Sequence, residues 1–308
     1  MAAVPTEPSG PAPGAPGIEP TWTSSAKDVV GMALGASRVW FTLGRGIVNE
    51  VYHPRVDIPQ IRDLGFIVGD GAGFWVEVKR RDDYSLRLLA PGAPVVEIVH
   101  RHPRFTLTLR IVVDPERDVL LIDADLAGEE GLRLFALLAP RLGTAGRDNL
   151  ARIERHGGRR VLAAEQGPFG LALAAVDGAG RNALGLASAG YVGASDGWQD
   201  FHRHGAMTWS FAEAGPGNVA LIGEVAPRAT LALGFGSSAG AAATLAISSL
   251  MQPVGDVLER QAAAWQRWHQ RRGEHALVSD KDARRSPTKW RCPRWCCGHI
   301  ATRPIREP

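Results

Sequence analysis

At 308 residues, with 45% hydrophobic and 22% charged side chains, the chain is long enough for one large core or two ordinary ones, and its composition excludes a disordered bulk. The formal charge of +3 and the isoelectric point near 9.0 are unevenly spread: residues 1–273 carry 27 Lys+Arg against 28 Asp+Glu, whereas residues 274–308 carry 8 against 4. The basic balance belongs to the tail, so the body gives no ground for a nucleic-acid partner, and no apolar run approaches the roughly 20 residues of a membrane span.

Residues 1–15 are rich in Pro, Gly and Ala and lack the basic start and apolar stretch of a signal peptide, so a flexible arm and a cytoplasmic protein are expected. From Ser37 onward the chain becomes a series of short apolar runs, broken roughly every eight to twelve residues by Gly, Pro, Asp or Asn, the pattern of antiparallel strands. Segments 38–43 and 47–52 flank Gly44-Arg45-Gly46, read as a three-residue hairpin loop, and 61–68 and 73–79 flank Asp70-Gly71-Ala72. In 104–113, Phe105, Leu107, Leu109 and Ile111 alternate with Arg104, Thr106, Thr108 and Arg110, which places one face in a core. Further strands are expected at 94–99, 118–126, 132–138, 150–155, 159–164, 170–176, 183–189, 206–211, 218–224 and 229–235. About fifteen strands with no helical crossover predict an all-β fold, a large antiparallel two-sheet sandwich.

Helical periodicity begins only after Phe235. Ser237 or Ser238 can cap an alanine-rich helix to about Leu250, Pro253 breaks it, and Asp256 is placed to cap a second helix. On that helix Leu258, Gln261, Ala262, Trp265, Trp268 and His269 share one face. The two tryptophans need a covering surface, either this chain's own sandwich or a second domain as well.

The motifs Pro16-Gly17-Ile18-Glu19-Pro20, Trp22-Thr23-Ser24-Ser25-Ala26-Lys27, Arg38-Val39-Trp40-Phe41-Thr42, Gly46-Ile47-Val48-Asn49-Glu50-Val51-Tyr52, Pro54-Arg55-Val56-Asp57, Arg62-Asp63-Leu64 and Ser195-Asp196-Gly197-Trp198-Gln199-Asp200 resemble, in that order, the N-terminal domain of bacterial glucoamylases and glucodextranases. The resemblance covers about residues 16–271. It implies a super-β-sandwich related to the galactose-mutarotase fold, then a helical linker, then an (α/α)₆ barrel that hydrolyses terminal α-glucosidic bonds with inversion. The expected division is an arm at 1–15, the sandwich at 16–236, the linker at 237–273 and an aberrant, disordered tail at 274–308.

All three cysteines, Cys292, Cys296 and Cys297, lie in that tail. The resemblance implies a barrel opening there of the form V-L-R-x-H-x-D, which the written residues lack. The codons of Trp295-Cys296-Cys297, read from their third base, give Val-Leu whichever cysteine codon is used. A frameshift near residues 276–285 is therefore expected to have replaced the barrel. The rival reading is a metal knuckle of Cys292, Cys296, Cys297 and His299, but its four ligands are crowded without the paired halves of a structural zinc site.

Inverting hydrolysis needs a general acid and a general base on opposite sides of the sugar. In the resembled family both lie in the barrel, so no catalytic residue, cofactor or metal is expected here, and the partners implied are the barrel and α-glucan. Two polar clusters are candidates for contact with a partner domain or a sugar: Glu50, Tyr52, Arg55, Asp57, Arg62 and Asp63, and a loop of Asp196, Trp198, Gln199 and Asp200. Trp265 and Trp268 are assigned to linker packing, and an uncovered Trp265/Trp268 stripe would promote self-association. The alternative is a stand-alone sugar-binding or mutarotase-like sandwich, with His100 and His102 or His202 and His204 as paired acids on strands and Glu97, Glu165 or Glu224 as base.

Overall fold

The structure, a computed structural model, describes residues 7–272 apart from Ser24. The expected tail at 274–308, with its frameshift and its alternative metal knuckle, lies outside the described residues. The first strands are β1 (Val29–Met32), β2 (Trp40–Gly44), β3 (Ile47–Tyr52), β4 (Ile61–Gly69), β5 (Trp75–Glu77) and β6 (Tyr84–Leu88). Next come β7 (Val96–His102), β8 (Phe105–Val113), β9 (Val119–Gly128), β10 (Arg133–Pro140), β11 (Asn149–His156) and β12 (Arg159–Gln166). After β13 (Phe169–Val176) and β14 (Leu184–Tyr191) come helix α1 (Gly197–His204), then β15 (Glu213–Gly217), β16 (Val219–Val225) and β17 (Arg228–Gly236). Helices α2 (Ala239–Ser249) and α3 (Val254–Arg272) follow.

The strands form two antiparallel sheets. One is eight-stranded, in the order β1-β2-β3-β4-β10-β16-β14 with β5 beside β4, and the other is nine-stranded, β15-β11-β12-β13-β17-β9-β8-β7-β6. Alternation decides which side chains meet between them. Phe66, Leu134, Leu138 and Leu221 of the first sheet join Leu107, Leu109, Leu162, Leu173 and Leu233 of the second in the main core. The nine-stranded sheet is also buried on its outer side, where Leu121, Val161, Ala163, Ala172, Ala174 and Ala232 pack under α2 and α3. That double burial is why β13 reads as a near-continuous apolar run. Small residues let α2 come close: a Cβ on Gly234 would stand 2.4 Å from the Ala242 carbonyl oxygen.

Helix α2 begins where expected, with the Ser238 hydroxyl accepting from the Ala241 N–H at 3.2 Å. Helix α3 starts earlier than expected, directly after Pro253, so Asp256 lies inside the first turn instead of capping it. Trp265 is wholly buried against the sandwich and Trp268 packs beside it. The uncovered stripe expected from the sequence is not there, because α3 docks on its own chain, with Gln261 accepting from the Leu34 N–H and His269 bonded to the Gly92 carbonyl. Among the described residues no single helix is long and apolar enough to cross a membrane.

Three local readings are corrected. The β2–β3 turn has two residues, not three, because Gly44 pairs with Ile47, and Arg45 and Gly46 take φ of 54° and 72° as such a turn requires. Residues 206–211 form no strand, since the N–H groups of Thr208 and Trp209 are taken by the Asp200 carboxylate. The flexible arm of residues 1–15 is fixed at least from Ser9: Ser9 donates to Ser210, Ala12 to Glu213, and Ala212 to Gly10. These bonds run along the segment leading into β15 and reach its first residue, Glu213, which gives the arm a partner that its composition does not reveal.

Candidate functional site

The outer face of the eight-stranded sheet is built differently from that of its partner. At one end Ile67, Phe135, Leu137 and Ile222 are covered by Phe201 of α1 and by Met207. The rest is a polar and aromatic surface with three adjoining hollows. The first, about 530 Å³, is lined by Trp22, Thr23, Lys27, Glu50, Tyr52 and Asp57 among others. The second, about 300 Å³, shares Trp22 and Thr23 and adds Asn49, Arg62, Asp63, Lys79 and Arg80. The third, about 230 Å³, shares Arg62, Lys79 and Arg80 and adds Glu77, Asp196, Trp198 and Gln199. Shared walls make one groove across the sheet, and it joins the two clusters that lie far apart in the sequence.

In the first hollow Glu50 is 5% exposed, and its carboxylate accepts from the Thr23 and Thr42 hydroxyls at 2.5 and 3.0 Å and pairs with Lys27 at 2.6 Å. Burial pushes that carboxyl up, but the bonds from Lys27 and Thr23 prevail and hold it below the usual range. Burial, with the Glu50 charge nearby, raises the Tyr52 phenol. Lys79 joins the middle of the groove, pairing with Asp63 at 3.0 Å and Glu77 at 3.1 Å, while Arg62 approaches Asp63 at 3.5 Å.

At the far end the expected loop is the start of a helix. Asp196 caps α1, one carboxylate oxygen accepting from the N–H groups of Trp198 and Gln199 at 2.9 and 3.1 Å and the other from Gly193 at 2.6 Å. Burial raises its carboxyl against the pull of those N–H bonds. The Trp198 indole donates to Glu77 at 2.8 Å, stacks on His202 with centroids 4.9 Å apart, and carries the Arg80 guanidinium 4.8 Å from its ring. It is therefore wedged by its own chain and does not offer the flat free face its sequence context implies.

Two candidates stand apart from the groove. Arg55 pairs with Asp57 at the surface, at 2.8 Å, and lines none of the hollows. Asp200 is 1% exposed, and its oxygens hold Thr208, Trp209 and His204, which is an anchoring role beneath the face. Sequence reasoning missed Glu77, Lys79 and Arg80 as groove residues, although the charges closing the 73–79 segment pointed to a polar outer edge. It also missed Trp22 as a groove wall.

The mutarotase-like arrangement is not assembled. His202 and His204 sit on α1, where a two-residue step points side chains to nearly opposite sides. One is stacked on Trp198 and the other bonded to Asp200. His100 is buried, bonded to the Gly46 carbonyl, and burial lowers its pKa, while His102 stacks on Phe105. Glu97 is taken by Arg87 and Arg110, Glu165 by Arg152, and Glu224 by both branches of the Arg133 guanidinium. Among the described residues no group of three or more His, Cys, Asp or Glu is placed to hold a metal.

These features define a large antiparallel two-sheet β-sandwich, with one sheet roofed by α2 and α3 and the other crossed by a polar groove. The match to the family model "Glucodextranase, domain N" spans residues 12–270, and the chain belongs to that family. It is similar to a glucoamylase from Clostridium sp. (strain G0005), 25% identical over 264 residues, covering 82% of this chain and 37% of that protein. Its fold is similar to that of part of a bacterial glucoamylase solved with acarbose, at a TM-score of 0.79 and 24% identity, covering 90% of this chain and 41% of the other. The chain thus spans about two fifths of the relatives it matches.

Proposed function

We propose that this sandwich is the non-catalytic N-terminal domain of a glucoamylase-type glycoside hydrolase acting on α-glucan, and that the end of the groove marked by Arg62, Lys79 and Arg80 receives the hydrolytic barrel. One observation carries the reading. The outer face of the nine-stranded sheet is already occupied by α2 and α3, while the opposite face presents Arg62, Lys79 and Arg80 in an open groove, with Arg80 lying over the Trp198 ring. Aromatic and arginine side chains concentrated at the centre of a surface are the composition of an interface. The carboxylates there are ion-paired to Lys79 and Arg80 and are not arranged as a free acid and base.

Two measurements test this. The chain alone is expected to release no glucose from maltooligosaccharides, and release by the pure protein would refute the non-catalytic assignment. Calorimetric titration with the separately produced catalytic portion of the Clostridium relative should show binding, weakened about tenfold or more by combined Arg62→Glu and Arg80→Glu. Binding indifferent to that double reversal would place the barrel elsewhere.

A further inference from the structure

The hollow at Trp22 has features that barrel docking does not use. Trp22 is 49% exposed, an unusual state for a ring that gains by burial. It is nonetheless held. The Arg141 guanidinium lies 3.5 Å from its ring centroid, and Arg141, only 8% exposed, donates to the carbonyls of Thr144 and Thr21 at 3.2 Å each. Arg141 lines neither hollow that Trp22 borders. One indole face therefore rests on a fixed cation while the other is turned to the groove. Trp198, by contrast, has its ring occupied by His202 and Arg80.

The surroundings specify what such a platform accepts. The Thr23 hydroxyl is committed to Glu50, but Tyr52 and Thr144 line the 530 Å³ hollow with hydroxyl-bearing side chains and Asp57 brings an acceptor. Its charges are compensated, Lys27 by Glu50 at 2.6 Å and Asp57 by Arg55 at 2.8 Å. A flat apolar surface, rimmed by hydroxyls and without net charge, matches a ligand that has one apolar face, a belt of hydroxyls and no charge. A hexopyranose ring has this form: its C–H bonds make the face and its hydroxyls the belt. The volume falls within the range of small-ligand sites, roughly 300–1,000 Å³.

We propose that Trp22 is a stacking platform for a neutral hexopyranose unit of an oligosaccharide, with the Tyr52 hydroxyl and the Asp57 carboxylate as its polar contacts. This is a binding site of the sandwich itself, independent of any barrel. Calorimetric titration of the full chain with maltoheptaose, isomaltoheptaose and cellohexaose tests it. Saturable binding of at least one of them is expected, weakened about tenfold or more by Trp22→Ala and about threefold by Tyr52→Phe. The Trp22→Ala melting curve is the control for folding. If that variant unfolds, the decision passes to Tyr52→Phe, which removes a single hydroxyl. No saturable binding of any of the three sugars overturns the proposal, as does binding that survives Trp22→Ala and Tyr52→Phe. So does tighter binding of a flat aromatic such as adenosine. The docking assay depends on Arg62 and Arg80 and a second protein, so either proposal can fail with the other intact.

Discussion

Asp118 shows how single side chains lock the two sheets together. It immediately precedes β9 of the nine-stranded sheet, and its carboxylate accepts from the Arg38 backbone and side chain and bonds His53 at 3.0 Å, both on the β2–β3 side of the sandwich. Burial raises this carboxyl, but the bonds from His53 and Arg38 outweigh it and hold it far below the usual range. A folded-state pKa below the unfolded one gives stability that is present above about pH 4 and lost as pH falls further. Urea midpoints measured from about pH 5 down to pH 2 should fall steeply, and Asp118→Asn should flatten the slope; an unaltered slope would deny the clasp its role. Asp200→Ala should cost about 3 kcal/mol in chemical denaturation, because it removes a buried carboxylate and strands the part-buried N–H groups of Thr208 and Trp209. The sequence singled out the Asp196–Asp200 motif but read it as a loop. An aspartate before glycine signals a tight bend and a helix cap alike, and α1 is too short to show a period. That ambiguity also hid the separation of His202 from His204.

At the scale of elements, strands buried on one face announced themselves by alternation, as in β8, and those buried on both faces by unbroken apolar runs, as in β13. β15 did not, because Glu-Ala-Gly-Pro-Gly has neither signal and is ordered by what flanks it, β11 on one side and the arm on the other. The α3 stripe was legible as an apolar face, but nothing in its spacing said which surface covers it. The structure answers with the outer side of the nine-stranded sheet. Trp265→Ala should therefore destabilise the sandwich itself, by about 3–5 kcal/mol. Gly234→Val should cost about 2 kcal/mol or more by forcing α2 off β17, read as a lowered melting temperature. If either variant melts like the parent, α2 and α3 are not an integral layer of the fold.

For the molecule as a whole, the groove explains why polar residues from segments 50–63 and 196–200 recur together: β3, β4 and α1 deliver them to one side of one sheet. Because the outer side of the nine-stranded sheet covers the α3 tryptophans, the stripe is no reason for self-association, and light scattering should find the chain monomeric at low concentration. Persistent oligomers would mean that some other surface adheres. The stretch before β1 runs along β15 and continues to Trp22, finishing the sheet's border in the way a selvedge keeps cloth from fraying. A shortened protein starting at Val29 would loosen β15 and present bare peptide groups to its neighbours, onto which strands add laterally and drive fibrous precipitation.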